Sequence, residues 1–180
     1  MQIVIWIIII LVAIFLIWLL KKWIKDEGGK KLSYGVIPFY KEQVRLFDHD
    51  KEIKSLCQLQ LEKKQSDGSV KRMNQVTVGT VDSFQGMEFD VVILSVGRSN
   101  GKDGRKRRYG FLSSPNRLCV CMTRQKKLLV IVGDSEYASC DEARRSCDDG
   151  GIKPIADFYD LCSTDKKYGA VIEAEDLEKL

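Results

Sequence analysis

The sequence lacks the histidine and cysteine pattern of a zinc site. It contains one histidine, His49, and six cysteines, and no two cysteines have CxxC spacing. Of the six, only Cys57 lies near His49 along the chain. Structural zinc sites need four closely spaced Cys or His ligands. The sequence therefore predicts no metal site, and we interpret the scattered cysteines as small buried hydrophobic side chains.

The chain also lacks internal repeats and a strong excess of one charge, since 29 Lys and Arg residues oppose 25 Asp and Glu residues. A length of 180 residues, 44% of them hydrophobic, fits one globular domain with an appendage. Charged residues are absent from the first 20 positions, which read MQIVIWIIIILVAIFLIWLL. As a helix, residues 3–20 would extend about 27 Å, close to the hydrocarbon thickness of a bilayer. The sequence thus predicts an N-terminal transmembrane helix.

The residues that flank this apolar run favour an anchor that is not cleaved. Signal peptides have a positively charged start and a small-residue cleavage site, and this sequence has neither. Lys21, Lys22 and Lys25 follow the run, and Trp18 and Trp23 suit a membrane interface. The lysines predict a single-pass protein whose C-terminal body lies in the cytoplasm. The alternative is an out-of-place leader on a cytoplasmic domain.

The rest of the chain alternates between predicted strands and helices. The apolar runs YGVIPF, DVVILSV and LLVIVG are typical of buried strands, and helices are predicted over YKEQVRLFDHD, from SP through NRLCVCMTRQ, and over IADFYDLC. A turn is predicted at Asp67 and Gly68, after a polar stretch with some helical periodicity. This alternation indicates an α/β fold, a parallel sheet with helices on both faces. We divide the chain into an anchor (1–25), a linker (26–33), a globular domain (34–162) and a tail (163–180).

The stretch TVDSFQGMEFDVVILS, residues 80–95, places a polar turn between two apolar runs. Parallel sheets bind ligands at the carboxyl ends of their strands, and we expect this turn to lie at such an end. Gly86 lets the backbone approach a ligand closely, while Gln85 and Glu88 add an amide and a carboxylate. An ordinary solvated loop would look the same from this stretch alone.

Two arginines in a later stretch, SPNRLCVCMTRQKKLLVIVGD, are seven residues apart. That spacing is two helical turns, so we expect Arg117 and Arg124 on one face of a helix. Arg124 comes near the end of this helix, directly before a predicted strand. It is either a surface cation that interacts with the helix dipole or a guanidinium directed at a phosphate.

Together, GVIPFYKEQV, TVDSFQGMEFDVVILSVGRSN and GFLSSPNRLCVCMTRQKKLLVIVGD resemble motifs IV, V and VI of superfamily 1 helicases of the nonsense-mediated-decay type. The resemblance covers roughly residues 34–162 and keeps the order and approximate spacing of the motifs. It implies the second RecA-like domain of such a helicase, a parallel sheet that closes over ATP bound to the first RecA-like domain and contacts nucleic acid along another edge.

The resemblance also implies roles for individual residues. Arg124 matches the motif VI arginine that stabilises the γ-phosphate during hydrolysis, and Glu88 matches the motif V carboxylate that bonds the ribose. Gln85 and Gly86 match the turn that brings motif V to the nucleotide. On the nucleic-acid side the resemblance places Thr80 and Asp82, together with Arg117. Two alternatives stay open, that Asp82 only caps the turn and that Arg117 only pairs with an acidic neighbour.

The sequence departs from the family pattern in two places. Pro38 and Phe39 follow Ile37, where motif IV carries a threonine hydroxyl. No phosphate-binding loop is present, because the nearest match, GRSNGKD, has three residues between its glycines and Asp103 where a Mg²⁺-binding hydroxyl is needed. We therefore expect ATP and Mg²⁺ to bind only when a first RecA-like domain, carried by a separate chain, completes the site. Alone, the chain should hydrolyse no ATP.

A basic loop, GKDGRKRR, precedes motif VI. Charge runs are usually solvated surface. If this loop is functional, its side chains would hold the phosphates of single-stranded RNA or DNA without sequence preference. The candidate residues are Arg105, Lys106, Arg107 and Arg108.

Two functions remain open from the sequence. The first is the C-terminal RecA-like half of an ATP-dependent RNA or DNA helicase. The second is a catalytically inactive, membrane-anchored module derived from a helicase, which binds nucleic acid or protein.

Overall fold

The computed structural model describes residues 14–15, 18–25, 31–64, 67–97, 109–173 and 176. These form two compact units. The sheet unit comprises Met1–Ser99 and Cys119–Gly133, and the helical unit comprises Asn100–Leu118 and Asp134–Leu180.

The sheet unit is built on four parallel strands in the order β4-β1-β5-β6. Their bounds are β1 Tyr34–Pro38, β4 Val76–Val78, β5 Phe89–Ser95 and β6 Gln125–Val132. Every residue of β1 and β5 is buried, as expected for central strands whose two faces are both covered. The predicted α/β class with a parallel sheet and flanking helices is confirmed.

Strand β6 differs from its prediction as a buried strand. It begins at Gln125, three residues earlier than the apolar run, and most of its side chains are partly or fully exposed. Leu128, the first residue of that run, is exposed. The reason is its place in the sheet, because β6 is an edge strand with one neighbour.

Two short helices follow β1, where the sequence predicted one. Helix α1 is Lys41–His49 and helix α2 is Lys51–Gln58. Asp50 separates them, because its Oδ1 accepts hydrogen bonds from the backbone N–H of Glu52 (2.8 Å) and of Ile53 (3.0 Å). A side chain that caps the start of one helix ends the helix before it.

The polar stretch after α2 forms an antiparallel hairpin of β2 (Gln60–Lys64) and β3 (Val70–Asn74). The predicted turn at Asp67 and Gly68 is confirmed. Gly68 has a φ of +83°, and Asp67 Oδ1 accepts from the N–H of Ser69 at 2.8 Å. The weak helical periodicity of the sequence belongs to α2 alone.

Residues 18–25 are helical and pack into the core of the sheet unit. Leu20 and Ile24 join the cluster of Tyr34, Val36, Phe47, Ile53, Val76, Val91 and Ile93. Lys21 pairs with Glu52, and the ring of Trp23 stacks on Tyr34 with centroids 6.5 Å apart. Lys21 and Trp23, which the sequence placed at a membrane interface, therefore both contact residues of the sheet unit.

Within the part of the chain that the structure describes, no helix is long and apolar enough to span a membrane. Most of the predicted span, residues 3–17 apart from Ile14 and Phe15, lies outside the described residues.

The helical unit contains the 3₁₀ turn Gly110–Ser113, the start of α3 (Pro115–Met122), α4 (Ser135–Ser139) and α5 (Lys153–Thr164). Tyr109 and Tyr137 are buried with ring centroids 4.6 Å apart, and the Tyr109 hydroxyl donates to the Tyr137 carbonyl at 3.3 Å. The predicted closing helix is confirmed as α5. Arg144 pairs with Asp160 of α5.

All six cysteines are free thiols. Cys121 and Cys162 are buried, as the sequence predicted, whereas Cys119 is exposed on the opposite side of the same helical turn. Among the described residues, no three His, Cys, Asp or Glu side chains converge on a possible metal position.

Candidate nucleotide site

The segment 79–88 connects β4 to β5 across the full height of the sheet. Both strands run parallel to β1, so the chain must return from the carboxyl end of β4 to the amino end of β5. Thr80 follows β4 by two residues and lies at the carboxyl edge, whereas Glu88 directly precedes β5 at the amino edge. The prediction that the whole turn lies at the carboxyl edge is therefore correct for Thr80 and wrong for Gln85, Gly86 and Glu88.

The return path is a 3₁₀ turn, Val81–Phe84, anchored at both ends. Ser83 donates to the Thr80 carbonyl through its backbone N–H (3.0 Å) and its hydroxyl (2.6 Å). Phe84 is buried against Phe89, with ring centroids 5.2 Å apart. Gly35 of β1 makes room for both rings, since a Cβ there would come within 2.8 Å of each. With these apolar residues inside, Asp82 and the four residues from Gln85 to Glu88 face solvent.

Gly86 gives this turn its sharp bend. Its φ is +79°, and apart from its two chain neighbours no described residue has an atom within 4 Å of the position that a Cβ would occupy. The N–H of Met87 donates to the Phe84 carbonyl at 3.0 Å and closes the turn. The backbone at Gly86 is thus open to a ligand, as the sequence predicted from the residue type.

Arg124 lies beside this turn at the amino edge. Helix α3 ends at Met122, so Arg124 follows the helix and directly precedes β6, and the expectation that it shares a helix face with Arg117 is wrong. The N–H of Phe89 donates to the Arg124 carbonyl at 2.9 Å. The two segments that the sequence singled out are therefore joined by a backbone hydrogen bond.

The guanidinium of Arg124 reaches the turn itself. Nη1 donates to the Met87 carbonyl at 3.4 Å, Nη2 to Thr123 Oγ1 at 2.9 Å, and Nε to the Val120 carbonyl at 3.0 Å. All three acceptors are carbonyl or hydroxyl oxygens, and no carboxylate of the described residues is among them. These neutral acceptors hold the guanidinium in position, and its positive charge can still stabilise an anion.

Gln125 adds a buried acceptor next to Arg124. Its Nε2 donates to the Met122 carbonyl at 2.9 Å. Its Oε1 is buried, and no described residue donates to it. A buried acceptor of this kind is satisfied by water or by a ligand.

Glu88 carries a partner that the sequence did not reveal. Lys126 Nζ lies 2.9 Å from Glu88 Oε2, with both side chains more than half exposed. The hydrogen bond to Glu88, together with the charge of that carboxylate, raises the pKa of Lys126. A pair this exposed is worth about 0.2–1 kcal/mol, so a hydroxyl-bearing ligand can displace Lys126 from Glu88.

A buried polar pair holds the strands behind the site in place. Asp90 Oδ2 accepts from the backbone N–H and the hydroxyl of Ser33, each at 2.8 Å, and Ser33 Oγ accepts from the Asp90 N–H at 3.0 Å. Lys127 Nζ lies 3.7 Å from Asp90 Oδ1. Because 57 residues separate Ser33 from Asp90, only the fold brings them together.

At the opposite, carboxyl edge, a hydroxyl lies level with Pro38. Ser95 is the register partner of Pro38, and its Oγ accepts from Gln43 Nε2 at 3.1 Å. Both Ser95 and Gln43 are buried. This hydroxyl is already bonded inside the protein, so it does not replace the threonine that motif IV lacks here.

The remaining predicted residues lie elsewhere. Arg117 is in the helical unit, where its guanidinium carbon lies 4.9 Å from the centroid of the Phe111 ring. The four basic-loop candidates, Arg105, Lys106, Arg107 and Arg108, lie outside the described residues.

Comparison with known families agrees with this geometry. The sequence model of a family described as an AAA domain matches residues 11–136, which is more than half of the chain. This chain belongs to the AAA domain family. The match begins before residues 18–25, so it includes the helix whose Leu20 and Ile24 pack against the sheet.

Of three curated relatives, two are helicases by name and one is named a regulator of nonsense transcripts. The chain is 46% identical over 65 residues to DNA polymerase alpha-associated DNA helicase A of Saccharomyces cerevisiae, covering 36% of this chain and 9% of that protein. It is 46% identical over 72 residues to a regulator of nonsense transcripts 1 homolog of Neurospora crassa, covering 39% and 6%. It is 42% identical over 64 residues to the helicase required for RNAi-mediated heterochromatin assembly 1 of Schizosaccharomyces pombe, covering 36% and 6%.

The AAA domain of this chain is thus a helicase-type domain, which confirms the prediction at that level. The chain matches less than one tenth of the length of each of these relatives.

Proposed function

We propose that this chain is the second RecA-like half of an ATP-dependent superfamily 1 helicase and that it supplies one wall of a composite nucleotide site. The observation that carries the proposal is the contact of Arg124 Nη1 with the Met87 carbonyl, 3.4 Å away. That contact brings the candidate arginine finger to the turn that carries the candidate ribose ligand, Glu88.

In the proposed site, each residue has one task. Arg124 stabilises the negative charge that develops on the transferred phosphoryl group. Glu88 leaves Lys126 and accepts a hydrogen bond from a ribose hydroxyl. The turn around Gln85 and Gly86 lets the backbone approach the nucleotide. ATP and Mg²⁺ supply the phosphoanhydride and the neutralising divalent charge, and a separate chain with the first RecA-like half supplies the phosphate-binding loop.

The segment 79–88 suggests how nucleotide and nucleic acid are linked. We assign Thr80 and Asp82, near the carboxyl edge, to the side that contacts single-stranded RNA or DNA, and Glu88, at the amino edge, to the nucleotide side. A few residues of continuous backbone then join the two ligands, so a movement of one end is transmitted to the other. Arg117 and the basic residues Arg105 to Arg108 are separate candidates for contact with the phosphates of nucleic acid.

Membrane attachment through residues 3–20, with the folded body in the cytoplasm, stays a prediction. Leu19 and Leu20 are buried in the protein, so these two residues of the predicted span are not available to lipid. Carbonate extraction of the full chain from membranes tests the anchor, which predicts retention in the pellet.

A region exchange tests the nucleotide function. Residues 11–164 of this chain replace a segment of Saccharomyces cerevisiae DNA polymerase alpha-associated DNA helicase A that includes the 65 aligned residues, so that the rest of that helicase supplies what this chain lacks. We expect ATP hydrolysis stimulated by nucleic acid. Arg124→Ala should then reduce turnover by about 10³–10⁵-fold with little change in nucleotide binding.

Arg45→Ala is the matched control, because Arg45 is an exposed cation that pairs with Glu42 on α1. Equal turnover of the Arg124→Ala and Arg45→Ala proteins would refute the finger assignment. A folded exchange protein that binds nucleic acid but hydrolyses no ATP would support the alternative, an inactive binding module.

A further inference from the structure

An aromatic side chain, Phe111, projects into solvent from the helical unit. It is 58% exposed. Its neighbours in the 3₁₀ turn face the other way, since Tyr109 and Leu112 are buried. Burying a phenylalanine stabilises a protein by about 1.5–3 kcal/mol. An exposed one forgoes that stabilisation in the free chain and can gain it when a ligand covers the ring.

The turn holds Phe111 in this exposed position. The N–H of Leu112 donates to the Tyr109 carbonyl at 3.1 Å, and Ser113 Oγ donates to the Gly110 carbonyl at 2.7 Å. Because Tyr109 and Leu112 fill the interior on both sides, the turn cannot rotate Phe111 inward without expelling them. The ring is therefore presented on a rigid support.

A cation already lies over this ring. The guanidinium carbon of Arg117 is 4.9 Å from the Phe111 centroid, within the range of a cation–π interaction. An aromatic plane beside an arginine is the combination with which proteins hold single-stranded nucleic acid, because the ring stacks on a base and the cation stays near the phosphates.

We propose that Phe111, supported by Arg117, is a stacking position for a base of single-stranded nucleic acid. The inference rests on the proposed nucleic-acid function and adds an aromatic contact to it. The sequence supports this ligand over a protein partner. Four consecutive cations, Arg105 to Arg108, precede the turn, and the two residues that follow Ser114, Pro115 and Asn116, are exposed. An apolar protein surface would bury the Arg117 charge, whereas a nucleotide offers both a ring and an anion.

The test measures binding of the full chain to a fluorescein-labelled single-stranded 12-mer by anisotropy. Loss of one base stack weakens binding by about 5- to 150-fold, and we expect this of Phe111→Ala. Phe111→Trp keeps a stacking surface and should bind at least as tightly as the original chain. The fluorescence of this new tryptophan should be quenched by the oligonucleotide.

Tyr168 provides a matched control in the same unit. It is 65% exposed, and Lys167 Nζ lies 5.2 Å from its ring centroid, but only two cations, Lys166 and Lys167, directly precede it. Tyr168→Ala should bind as the original chain does. Thermal unfolding of each variant verifies the fold, which an exposed side chain should affect little.

Salt dependence separates stacking from charge. Replacing Arg105 and Lys106 with alanine should flatten the slope of log K against log salt by roughly 0.7 for each single-strand phosphate that is no longer neutralised, whereas Phe111→Ala should leave the slope unchanged. Failure of the original chain to bind would refute the nucleic-acid function and the stacking with it. Normal binding by Phe111→Ala would refute the stacking alone.

Discussion

Replacing Leu20 with alanine distinguishes a helix of the protein core from a helix in lipid. Leu20 is 0% exposed and packs with Tyr34, Phe47 and Ile93 at the centre of the sheet unit. The substitution removes its isobutyl group from a close-packed site and leaves a cavity. A buried Leu→Ala change costs about 2–5 kcal/mol in the free energy of unfolding.

Ile14 supplies the comparison, since it belongs to the same apolar run but is 57% exposed. Ile14→Ala should change the free energy of unfolding by no more than about 0.5 kcal/mol. At about 2–4 °C per kcal/mol for a chain of this size, Leu20→Ala should lower Tm by about 4–20 °C. Ile14→Ala should lower it by about 2 °C at most.

The assay is thermal and urea unfolding of the full chain, followed by far-UV circular dichroism and by tryptophan fluorescence. Circular dichroism reports the whole fold. All three tryptophans lie within the first 23 residues, and Trp23 stacks on Tyr34, so the fluorescence reports the N-terminal segment. Equally small changes in the free energy of unfolding for both variants would show that Leu20 does not contribute to the core. Residues 18–25 would then be better explained as part of the predicted anchor.

Three further predictions concern single side chains. In the exchanged helicase, Glu88→Ala should raise the nucleotide Kd by about 10- to 150-fold, the loss of one charge-assisted hydrogen bond. Lys126→Ala removes only an exposed ion-pair partner of Glu88 and should shift the Kd less than about fivefold. An equal shift in the nucleotide Kd for both variants would show that Glu88 is not the ribose ligand. Burial raises the pKa of the Cys121 thiol to about 12, so brief maleimide treatment at pH 8 should label exposed Cys119 and spare Cys121. Tandem mass spectrometry of the tryptic peptide 118–124 locates the label. Equal labelling of the two cysteines would contradict the burial of Cys121. The hydrogen bond from Arg144 lowers the pKa of Asp160, so the pair stabilises the fold above the unfolded-state pKa and this stabilisation is lost as pH falls through the lower folded-state pKa. Asp160→Asn should therefore lower Tm at pH 7 and leave it unchanged near pH 2, and an equal loss at both would disprove the ionic origin.

The central strands and the turn residues could be predicted from the sequence because their signals are local. The runs that became β1 and β5 are apolar throughout, and both faces of those strands are covered. Asp67 and Gly68, and the positive φ of Gly86, follow from residue type. Arg124 and Glu88 were identified through an ordered set of motifs.

Strand order could not be predicted in the same way. Glu88 lies at the amino edge because β4 and β5 both run parallel to β1. The residues of TVDSFQGMEF carry no signal for the direction of these strands. The same holds for Lys126, which meets Glu88 only because β6 is the neighbour of β5.

The apolar N-terminal run shows a different limit. Hydropathy measures how favourable it is to transfer a side chain out of water, and a protein core and a bilayer both exclude water. The apolar side chains of Leu20 and Ile24 therefore suit either environment. Only their contacts with Tyr34 and Phe47 identify the environment of residues 18–25 as the core.

Gly35 has a consequence for how this protein can change during evolution. The space above it is filled by Phe84, which ends the 3₁₀ turn, and by Phe89, which begins β5. Any larger residue at position 35 would move both rings, and with them the two ends of the segment Gln85–Glu88. Phe84 and Phe89 fill the space at position 35, so selection on the proposed nucleotide site should act on Gly35 as well as on Glu88. A survey of tolerated substitutions would then report a strand glycine as a functional position, although its contribution is the volume that it leaves empty.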